Sequence, residues 1–303
     1  MDRKEYIKGL FLGSIAFVIW GLLPLYWRMV AEIGPYQQFA QRIVWSFVFV
    51  LVILRVRKEL GHFIKLVSNR RNWSGIILPA LAISVNWLTY IWAVNNGFVL
   101  EASLGYYMNP LVLTLIGAVF LKETIRPLER LGLAFALVGV IIKTLHYGEI
   151  PIVALILAFS FAFYGAMKKK SPLKSLYGLG FETMAVCVPA LGYVLYSEGI
   201  GNGIMGNLPG YFWFLIAISG IATAAPLILY AESAKRLPLN VLGFLQYIAP
   251  TFMLFLGIFV FDEPFDWVSA IAFGLIWIAL MVFSYSQYRF LTDKKKTAIE
   301  LPS

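Results

Sequence analysis

Two charged residues, Arg42 and Glu182, lie deep inside long apolar runs of the sequence. A charge at the centre of a membrane span costs roughly 2.5–3.5 kcal/mol even on lenient insertion scales, so such residues usually face a cavity or a partner. Arginine can bind a carboxylate at two points, so Arg42 could accept an anionic or polar group of a small molecule. Glu182 could contact the same molecule or relay protons. Alternatively, each residue satisfies polar groups within a packed interface.

Arg42 belongs to a polar face of one predicted helix. The residues Gln38, Arg42, Trp45 and Ser46 follow one another at positions i, i+4, i+7 and i+8. This spacing places them on the same side of a helix, and that side cannot face lipid. We therefore predict that Gln38 and Trp45 join Arg42 in a binding site.

A second set of binding candidates lies deep in the apolar runs or recurs between the two halves of the chain. Its members are Asn86, Tyr90, Tyr107, Tyr230 and Tyr247. Tyrosine rings can stack on flat or apolar molecules while their hydroxyl groups find hydrogen-bond partners. The alternative is an ordinary packing or lipid-facing role for each of these rings.

Two prolines and two glutamates also recur at matching positions. Pro110 and Pro250 remove a helical hydrogen bond and bend their helices, which favours either a gating role or a static packing kink. Glu123 and Glu263 follow at the ends of the same helices. A role in helix termination or loop packing is expected for the glutamates more than contact with a bound molecule.

The sequence does not favour catalysis. The chain has two histidines, His62 in a basic connection and His146 at a helix end, and a single cysteine, Cys187. Neither a nucleophile paired with a base nor a convergent set of metal ligands follows from these positions. A Walker A motif is also missing from the sequence, so direct use of ATP is not expected. We predict no enzymatic activity, no cofactor and no metal site.

The elements that position these residues are predicted to be membrane-spanning helices. The chain is 60% hydrophobic and only 14% charged, whereas soluble domains are typically 45–50% apolar and about 25% charged. Its apolar runs of roughly 20 residues can cross a hydrocarbon core. Charge clusters and turn residues divide the chain into ten spans: 7–29, 36–54, 73–95, 99–120, 128–146, 150–167, 176–197, 211–231, 239–261 and 266–288.

The basic residues predict the orientation of these spans. The net charge of +9 could indicate nucleic-acid binding, but all except three of the 25 lysines and arginines lie in the terminal segments and alternate connections or at the span ends that border them. The exceptions are Arg28, Arg42 and Lys143. Because lysine and arginine are retained on the cytoplasmic side, both termini are predicted to be cytoplasmic, which requires an even number of crossings. Contact with anionic lipid headgroups, and not with nucleic acid, is expected.

The second half of the chain repeats the first. Five residues recur 140 positions later: Tyr90, Tyr107, Pro110, Gly117 and Glu123 as Tyr230, Tyr247, Pro250, Gly257 and Glu263. Trp20-Gly21 recurs as Tyr164-Gly165 at an offset of 144, and Arg42 aligns with Glu182 at an offset of 140. Five crossings per half would insert the halves in opposite directions. We predict two inverted five-helix repeats, residues 1–146 and 150–288, and a basic cytoplasmic tail, residues 289–303.

These residues carry a family resemblance over most of the chain. The stretch EASLGYYMNP from Glu101 to Pro110, followed by Leu121-Lys122-Glu123, resembles the repeat signature of the EamA family within the drug/metabolite transporter superfamily. The opening Lys8-Gly9-Leu10 and the stretch from Gln41 to Ser46 are similar to the RarD group. The second repeat keeps Ala249-Pro250 but has Asn240-Val241-Leu242 in place of the Ala-Ser-Leu element. The resemblance implies a ten-helix fold and transport of small molecules, often export.

Together the pattern and the resemblance predict a secondary transporter in the plasma membrane. The resemblance to bacterial proteins implies that this is the inner membrane. It would move small organic metabolites or drugs by alternating access, with export as the expected direction. The oligomeric state is left open, and a monomer is compatible with the sequence. A passive channel or a lipid-moving protein on the same scaffold remains the alternative. The sequence leaves open the substrate, the direction and any proton coupling.

Overall fold

The computed structural model describes residues 3–69, 73–96, 98–148, 150–204, 207–260 and 266–300. Within these ranges every regular element is an α-helix. The helices are α1 (Arg3–Met29), α2 (Pro35–Val56), α3 (Leu60–Ser68), α4 (Ser74–Asn95), α5 (Val99–Phe120), α6 (Pro127–Tyr147), α7 (Ile152–Lys170), α8 (Ser175–Gly199), α9 (Tyr211–Arg236), α10 (Leu239–Gln246), α11 (Ile248–Val260) and α12 (Trp267–Glu300).

Local sequence signals explain several helix boundaries. Proline occupies the first turn of α2 and of α6, where its missing N–H would have no helical partner. At the start of α6, the Arg126 backbone N–H donates to the Glu129 carboxylate over 2.9 Å. Gly148 ends α6 in the left-handed conformation with φ 84°, which glycine adopts without a steric penalty.

The chain is a multi-pass membrane protein. In the described ranges, seven helical segments are long and apolar enough to cross a membrane: Arg3–Met29, Tyr36–Val56, Ile152–Lys170, Ser175–Gly199, Tyr211–Arg236, Leu239–Val260 and Trp267–Thr292. Two shorter apolar stretches, Ile77–Tyr90 and Leu104–Phe120, lie within α4 and α5. Large apolar side chains also face outward, among them Val188 and Phe259, whose side chains are 76% and 74% exposed. An apolar exterior of this kind suits contact with lipid tails.

The helices follow the predicted spans closely, with three differences. Helix α3 was not predicted, because its nine residues lie in a segment whose basic residues predict a connection. The ninth predicted span divides at Tyr247 into α10 and α11, three residues before Pro250. Helix α12 continues to Glu300 and so includes part of the predicted basic tail.

Ionic contacts bring the basic connections together at one end of the helix bundle, which we call the basic end. There Arg236 Nε lies 2.8 Å from Glu5 Oε2, and Lys174 Nζ lies 3.1 Å from Glu59 Oε1. Lys169 Nζ lies 3.0 Å from Glu123 Oε1. The start of α1, the α2–α3 connection, the α5–α6 connection, the α7–α8 connection and the end of α9 therefore meet at this end.

At the end of the bundle opposite the basic end, side-chain contacts connect the other helix termini. The Tyr26 hydroxyl donates to the carbonyl of Leu215 over 2.7 Å, which ties the end of α1 to the start of α9. His146 Nε2 lies 3.5 Å from Asp266 Oδ2, between the end of α6 and the start of α12. Helices α6 and α12 pack along each other, while α1, α2, α4, α5, α7, α9, α10 and α11 surround the centre of the bundle.

Candidate functional site

A cavity of about 260 Å³ lies between helices of both halves of the chain. Its walls include Trp27 in the last turn of α1 and Arg42 near the start of α2, so it lies toward the end of the bundle opposite the basic end. The lining residues come from α1 (Phe17, Trp20, Leu23, Pro24, Trp27), α2 (Arg42), α4 (Asn86, Trp87, Tyr90), α5 (Gly105, Tyr106, Asn109), α7 (Leu157, Phe161), α9 (Thr223, Leu227), α10 (Gln246) and α11 (Ala249, Pro250, Met253).

Arg42 supplies the charge of this cavity and is held among aromatic rings. Its guanidinium carbon lies 5.1 Å from the ring centroid of Phe39, 5.3 Å from that of Trp87 and 5.8 Å from that of Trp27. The Arg42 Nε atom is buried and has no hydrogen-bond partner in the described part of the chain. Among the lining residues just named, none is acidic. The cavity therefore presents one cation stabilised by π-faces and not by a carboxylate.

Polar atoms without partners also face this region. Asn109 Oδ1 and Thr223 Oγ1 are buried and accept or donate no hydrogen bond within the described residues. Asn86 is different, because its amide nitrogen donates to the carbonyl of Leu157 over 2.9 Å and to Ser160 Oγ over 3.1 Å. Asn86 thus links α4 to α7, whereas Asn109 and Thr223 are available to a bound molecule. Unpartnered buried polar atoms of this kind cost free energy unless water or a ligand satisfies them.

The remaining wall of the cavity is mostly apolar, with aromatic rings from α1, α4, α5 and α7 beside aliphatic side chains. The ring centroids of Tyr90 and Tyr106 are 6.0 Å apart in an edge-to-face arrangement. The rings of Trp20 and Phe161 also meet edge to face at 5.9 Å. The cavity is therefore suited to a small apolar or aromatic molecule that carries a group an arginine can bind.

Several residues predicted for the site lie in the cavity wall, and others do not. Arg42, Asn86, Tyr90 and Pro250 line the cavity. The Gln38 amide instead donates to the carbonyls of Val30 and Ile33, over 2.8 and 2.9 Å, and so fixes the turn between α1 and α2. Trp45 packs with the cluster of Val30, Ile33, Phe212 and Ile216. The single polar face predicted for α2 is thus shared between the cavity and helix packing.

The other repeat-related tyrosines, Tyr107, Tyr230 and Tyr247, pack around the cavity. Tyr107 and Tyr247 are buried together, and the Tyr247 hydroxyl donates to the Tyr107 carbonyl over 3.2 Å. The Tyr107 ring also contacts the Phe273 ring of α12 edge to face, with centroids 5.1 Å apart. Tyr230 lies directly behind the cavity wall, where its ring centroid is 5.7 Å from that of Trp20.

Glu182 is fully enclosed and pairs with a residue other than Arg42. Its carboxylate forms a buried ion pair with Lys168 of α7 and accepts a hydrogen bond from the Tyr164 hydroxyl over 3.2 Å. The exposed fractions of Lys168, Glu182 and Tyr164 are 2%, 3% and 0%. Glu182 is not among the lining residues of the cavity, and its ion pair is with Lys168 and not with Arg42.

The recurring prolines and glutamates occupy structurally different places. Pro110 lies within the continuous helix α5, where its carbonyl accepts from Thr114 Oγ1 over 2.9 Å. Pro250 lies in the first turn of α11, just after the helix division at Tyr247. Glu123 binds Lys169 and accepts from the backbone N–H of Leu239 over 2.6 Å, which is a loop-packing role at the basic end. Glu263 lies outside the described residues.

The sequence pattern does not single out most of the aromatic residues that line the cavity. The sequence does contain a signal that could have identified Trp20 as a site residue, since Trp20-Gly21 recurs as Tyr164-Gly165. No such signal identifies Tyr106, because the repeat pattern indicates the neighbouring Tyr107, which lies on a different side of α5. Groups of three or more His, Cys, Asp or Glu side chains that could hold a metal ion are absent from the part of the chain that the structure describes.

Comparison with known proteins agrees with this architecture. The model of the EamA-like transporter family matches the chain twice, over residues 7–145 and 150–285. The chain is 45% identical to the uncharacterized transporter YojE of Bacillus subtilis (strain 168), covering 97% of this chain and 99% of that protein. It is 36% identical to protein RarD of Escherichia coli (strain K12), covering 93% and 96% respectively.

A more distant relative and a solved structure extend these matches. The chain is 25% identical to the chloramphenicol-sensitive protein RarD of Pseudomonas aeruginosa, over 96% of this chain and 98% of that protein. A crystal structure matches with a TM-score of 0.68 at 22% identity, covering 90% of this chain and 96% of its own chain, and this likeness shows the fold. By its family match and its nearly full-length relatives, the chain belongs to the RarD group of the EamA-like transporter family.

Proposed function

We propose that this membrane transporter is a secondary carrier that moves small organic molecules by alternating access, with Arg42 binding an anionic or polar group of the substrate. The observation that carries this proposal is the cavity between the two halves, in which one arginine is surrounded by aromatic rings and faces no carboxylate. A carboxylate on the substrate would pair with the guanidinium, and the aromatic wall would hold the apolar body.

The size of the cavity limits the substrate. A cavity of about 150 Å³ can hold benzene, so a cavity of about 260 Å³ would take a molecule of roughly ten non-hydrogen atoms in this conformation. Drug-sized ligands usually occupy pockets of about 300–1,000 Å³. The proposed substrates are therefore small metabolites with one acidic or strongly polar group, and larger drugs would require a wider conformation.

The proposed topology is ten spans in two inverted five-helix halves. Two successive matches of the family model, one to each half, support this arrangement. The clustering of lysine- and arginine-bearing connections at the basic end supports placing that end in the cytoplasm, with both termini. The cavity would then face the outside of the cell in the present conformation, and export is the direction that the family resemblance implies.

Counterflow in proteoliposomes tests the proposed function. Vesicles containing the purified protein would be loaded with a mixture of small carboxylates, and uptake of each labelled carboxylate would be followed. A carrier accelerates uptake of the labelled form when unlabelled substrate is inside, and the rate saturates with concentration. A non-saturating flux without counterflow would instead identify a channel, and labelled lipid crossing the bilayer would identify a lipid-moving protein.

The Arg42→Gln variant provides the site-specific arm of that experiment. Loss of counterflow in this variant, with normal insertion and thermal stability, would assign the cavity as the binding site. Unchanged counterflow would move the binding site elsewhere in the protein.

A further inference from the structure

The buried cluster of Lys168, Glu182 and Tyr164 corresponds, member by member, to residues that line or adjoin the cavity in the other half. At the offset of 144, Tyr164 aligns with Trp20 and Lys168 with Pro24; at the offset of 140, Glu182 aligns with Arg42. Trp20, Pro24 and Arg42 all line the cavity. The same sequence positions therefore form an open site near one end of the bundle and a closed cluster in the other half.

The closed cluster carries charges that packing alone does not require. Removing two opposite charges from water costs several kcal/mol per ion, and apolar side chains of similar volume are often as stabilising as a buried ion pair. Lys168 and Glu182 are nevertheless 2% and 3% exposed within helices α7 and α8. Ionisable pairs in membrane spans usually mark the path of a substrate or an ion.

A thin layer of aromatic rings separates this cluster from the cavity. The Tyr164 ring stacks on the Tyr230 ring at 6.1 Å with an angle of 9° between the ring planes. The Tyr230 ring in turn lies 5.7 Å from Trp20 and 5.2 Å from Phe161, and both of these line the cavity. Movement of this layer would therefore connect the cavity with the Lys168–Glu182 pair.

Glycine leaves room beside the lysine head group. A Cβ atom at Gly178 would lie 3.0 Å from Lys168 Nζ, so the ammonium lies against the bare backbone of α8. Leu113 of α5 lies next to this region, since a Cβ atom at Gly165 would be 3.1 Å from Leu113 Cδ1. Leu113 is fully buried and is the repeat counterpart of Met253, which lines the cavity.

We propose that Lys168, Glu182 and Tyr164 form a second binding station for the substrate anion, the basic-end counterpart of the Arg42 site. In the opposite conformation the two halves exchange their arrangements, the cluster opens toward the basic end, and the Lys168 ammonium receives the anionic group in exchange for its contact with Glu182. Tyr164 keeps a hydrogen bond to the Glu182 carboxylate in that state. This proposal rests on the alternating-access function proposed above.

Thiol labelling tests the proposal without knowledge of the substrate. In a Cys187→Ser background, Leu113→Cys and Met253→Cys form a matched pair of repeat-related positions. Each variant would be labelled from both sides of oriented vesicles with two membrane-impermeant methanethiosulfonate reagents, one bearing a sulfonate and one a trimethylammonium group. We expect position 253 to react from the side opposite the basic end and position 113 from the basic end.

The charge preference of labelling identifies the role of Lys168. If its ammonium lines the open path, Lys168→Gln should lower the sulfonate-to-ammonium rate ratio at position 113 by roughly tenfold, and Glu182→Gln should raise it. The same substitutions should leave the ratio at position 253 unchanged. If Lys168→Gln fails to insert, the change in ratio with Glu182→Gln decides the question alone.

Two results would overturn the binding station. One is the absence of labelling at position 113 while position 253 reacts, and the other is a rate ratio that neither substitution changes. Either result combined with saturable counterflow would leave the transporter proposal intact and remove only the second station. Labelling as expected without any saturable flux would instead overturn the carrier function and the substrate role of Lys168 with it.

Discussion

The Arg42 guanidinium lies over the Trp87 indole, 5.3 Å from its centroid, and this contact joins a cation on α2 to an aromatic wall on α4. Phe39 and Trp27 complete the aromatic surroundings at 5.1 and 5.8 Å. The rings stabilise the charge without neutralising it. A negatively charged group can therefore still approach the guanidinium from the cavity.

The first prediction concerns Arg42 itself. Arg42→Lys keeps the charge but loses the planar fork, so we expect protein at near-normal levels in the membrane with carboxylate transport reduced at least tenfold. Arg42→Gln should reduce transport further. Flux in liposomes and thermal unfolding in detergent would be measured on the same preparations. A protein that no longer inserts or unfolds early would instead assign Arg42 a structural role.

The second prediction concerns Trp87. Trp87→Leu removes the π-face over which Arg42 lies, and we expect the apparent affinity for substrate to weaken roughly threefold to tenfold. Trp87→Phe retains a ring and should weaken it less. Trp92→Leu is the matched control, because Trp92 is 48% exposed and stacks on Phe98 away from the cavity lining. Equal losses in the two leucine variants would argue against a specific contact with Arg42.

The sequence predicted the helical segments well because charges and turn residues bound each apolar run. The prediction of helices failed where a helix was unusually short or its local sequence pattern was unusual. Helix α3 has nine residues, too few to span, and its basic neighbours resembled a loop. Helices α10 and α11 divide at Tyr247, three residues before Pro250, whereas Pro110 at the matching position leaves α5 continuous, so the proline alone does not predict the division.

The candidate site was only partly predictable for a related reason. Isolated charge in an apolar run identified Arg42, which the structure places in the cavity. The same reasoning selected Glu182 but not its partner, because Lys168 belongs to a lysine run that was assigned to a connection. Helix α7 continues to Lys170, and this continuation directs the Lys168 side chain back into the bundle. Sequence spacing alone does not distinguish that arrangement from a solvated lysine.

The third prediction concerns the close approach of α2 and α9. A Cβ atom at Gly220 would overlap the carbonyl of Trp45, so Gly220→Ala must push the two helices apart. We expect a loss of roughly 1–3 kcal/mol of stability, seen as a lower melting temperature in detergent. Gly192→Ala is the matched control, since a Cβ there meets no atom within 4 Å. Similar melting temperatures for the two variants would contradict the close approach.

The fourth prediction concerns pH and the tether between α3 and α8. Hydrogen bonds from the Tyr177 hydroxyl, over 2.8 Å, and from Lys174 hold the pKa of Glu59 below its ordinary value of 4.5. A depressed folded-state pKa stabilises the protein above the ordinary value, and this stabilisation is lost as pH falls through the folded-state value. The difference in melting temperature between the native protein and Glu59→Gln should therefore be present at pH 7 and shrink below about pH 4.5.

A glutamate at the other end of the bundle serves as the control for that pH dependence. Glu32 is exposed in the connection between α1 and α2, so Glu32→Gln is the matched control for removal of a single surface carboxylate. A difference between the native protein and Glu59→Gln that grows as the pH falls would reverse the sign and contradict the tether.

The last prediction separates the two charges that the repeat relates. Glu182 pairs with Lys168 and not with Arg42, so removing one partner of the Lys168–Glu182 pair leaves an uncompensated charge among residues that are less than 4% exposed. Breaking a buried pair in this way typically costs about 3–5 kcal/mol, whereas removing both charges is often nearly neutral. Lys168→Gln and Glu182→Gln should each lower the melting temperature, and the double variant should recover most of the loss. Combining Arg42→Gln with Glu182→Gln should give no such recovery, because the two side chains share no contact, and their effects on stability should simply add. Recovery in the Arg42 combination, measured by thermal unfolding of all five variants in one detergent, would show that Glu182 is coupled to Arg42 and would contradict the pairing described above.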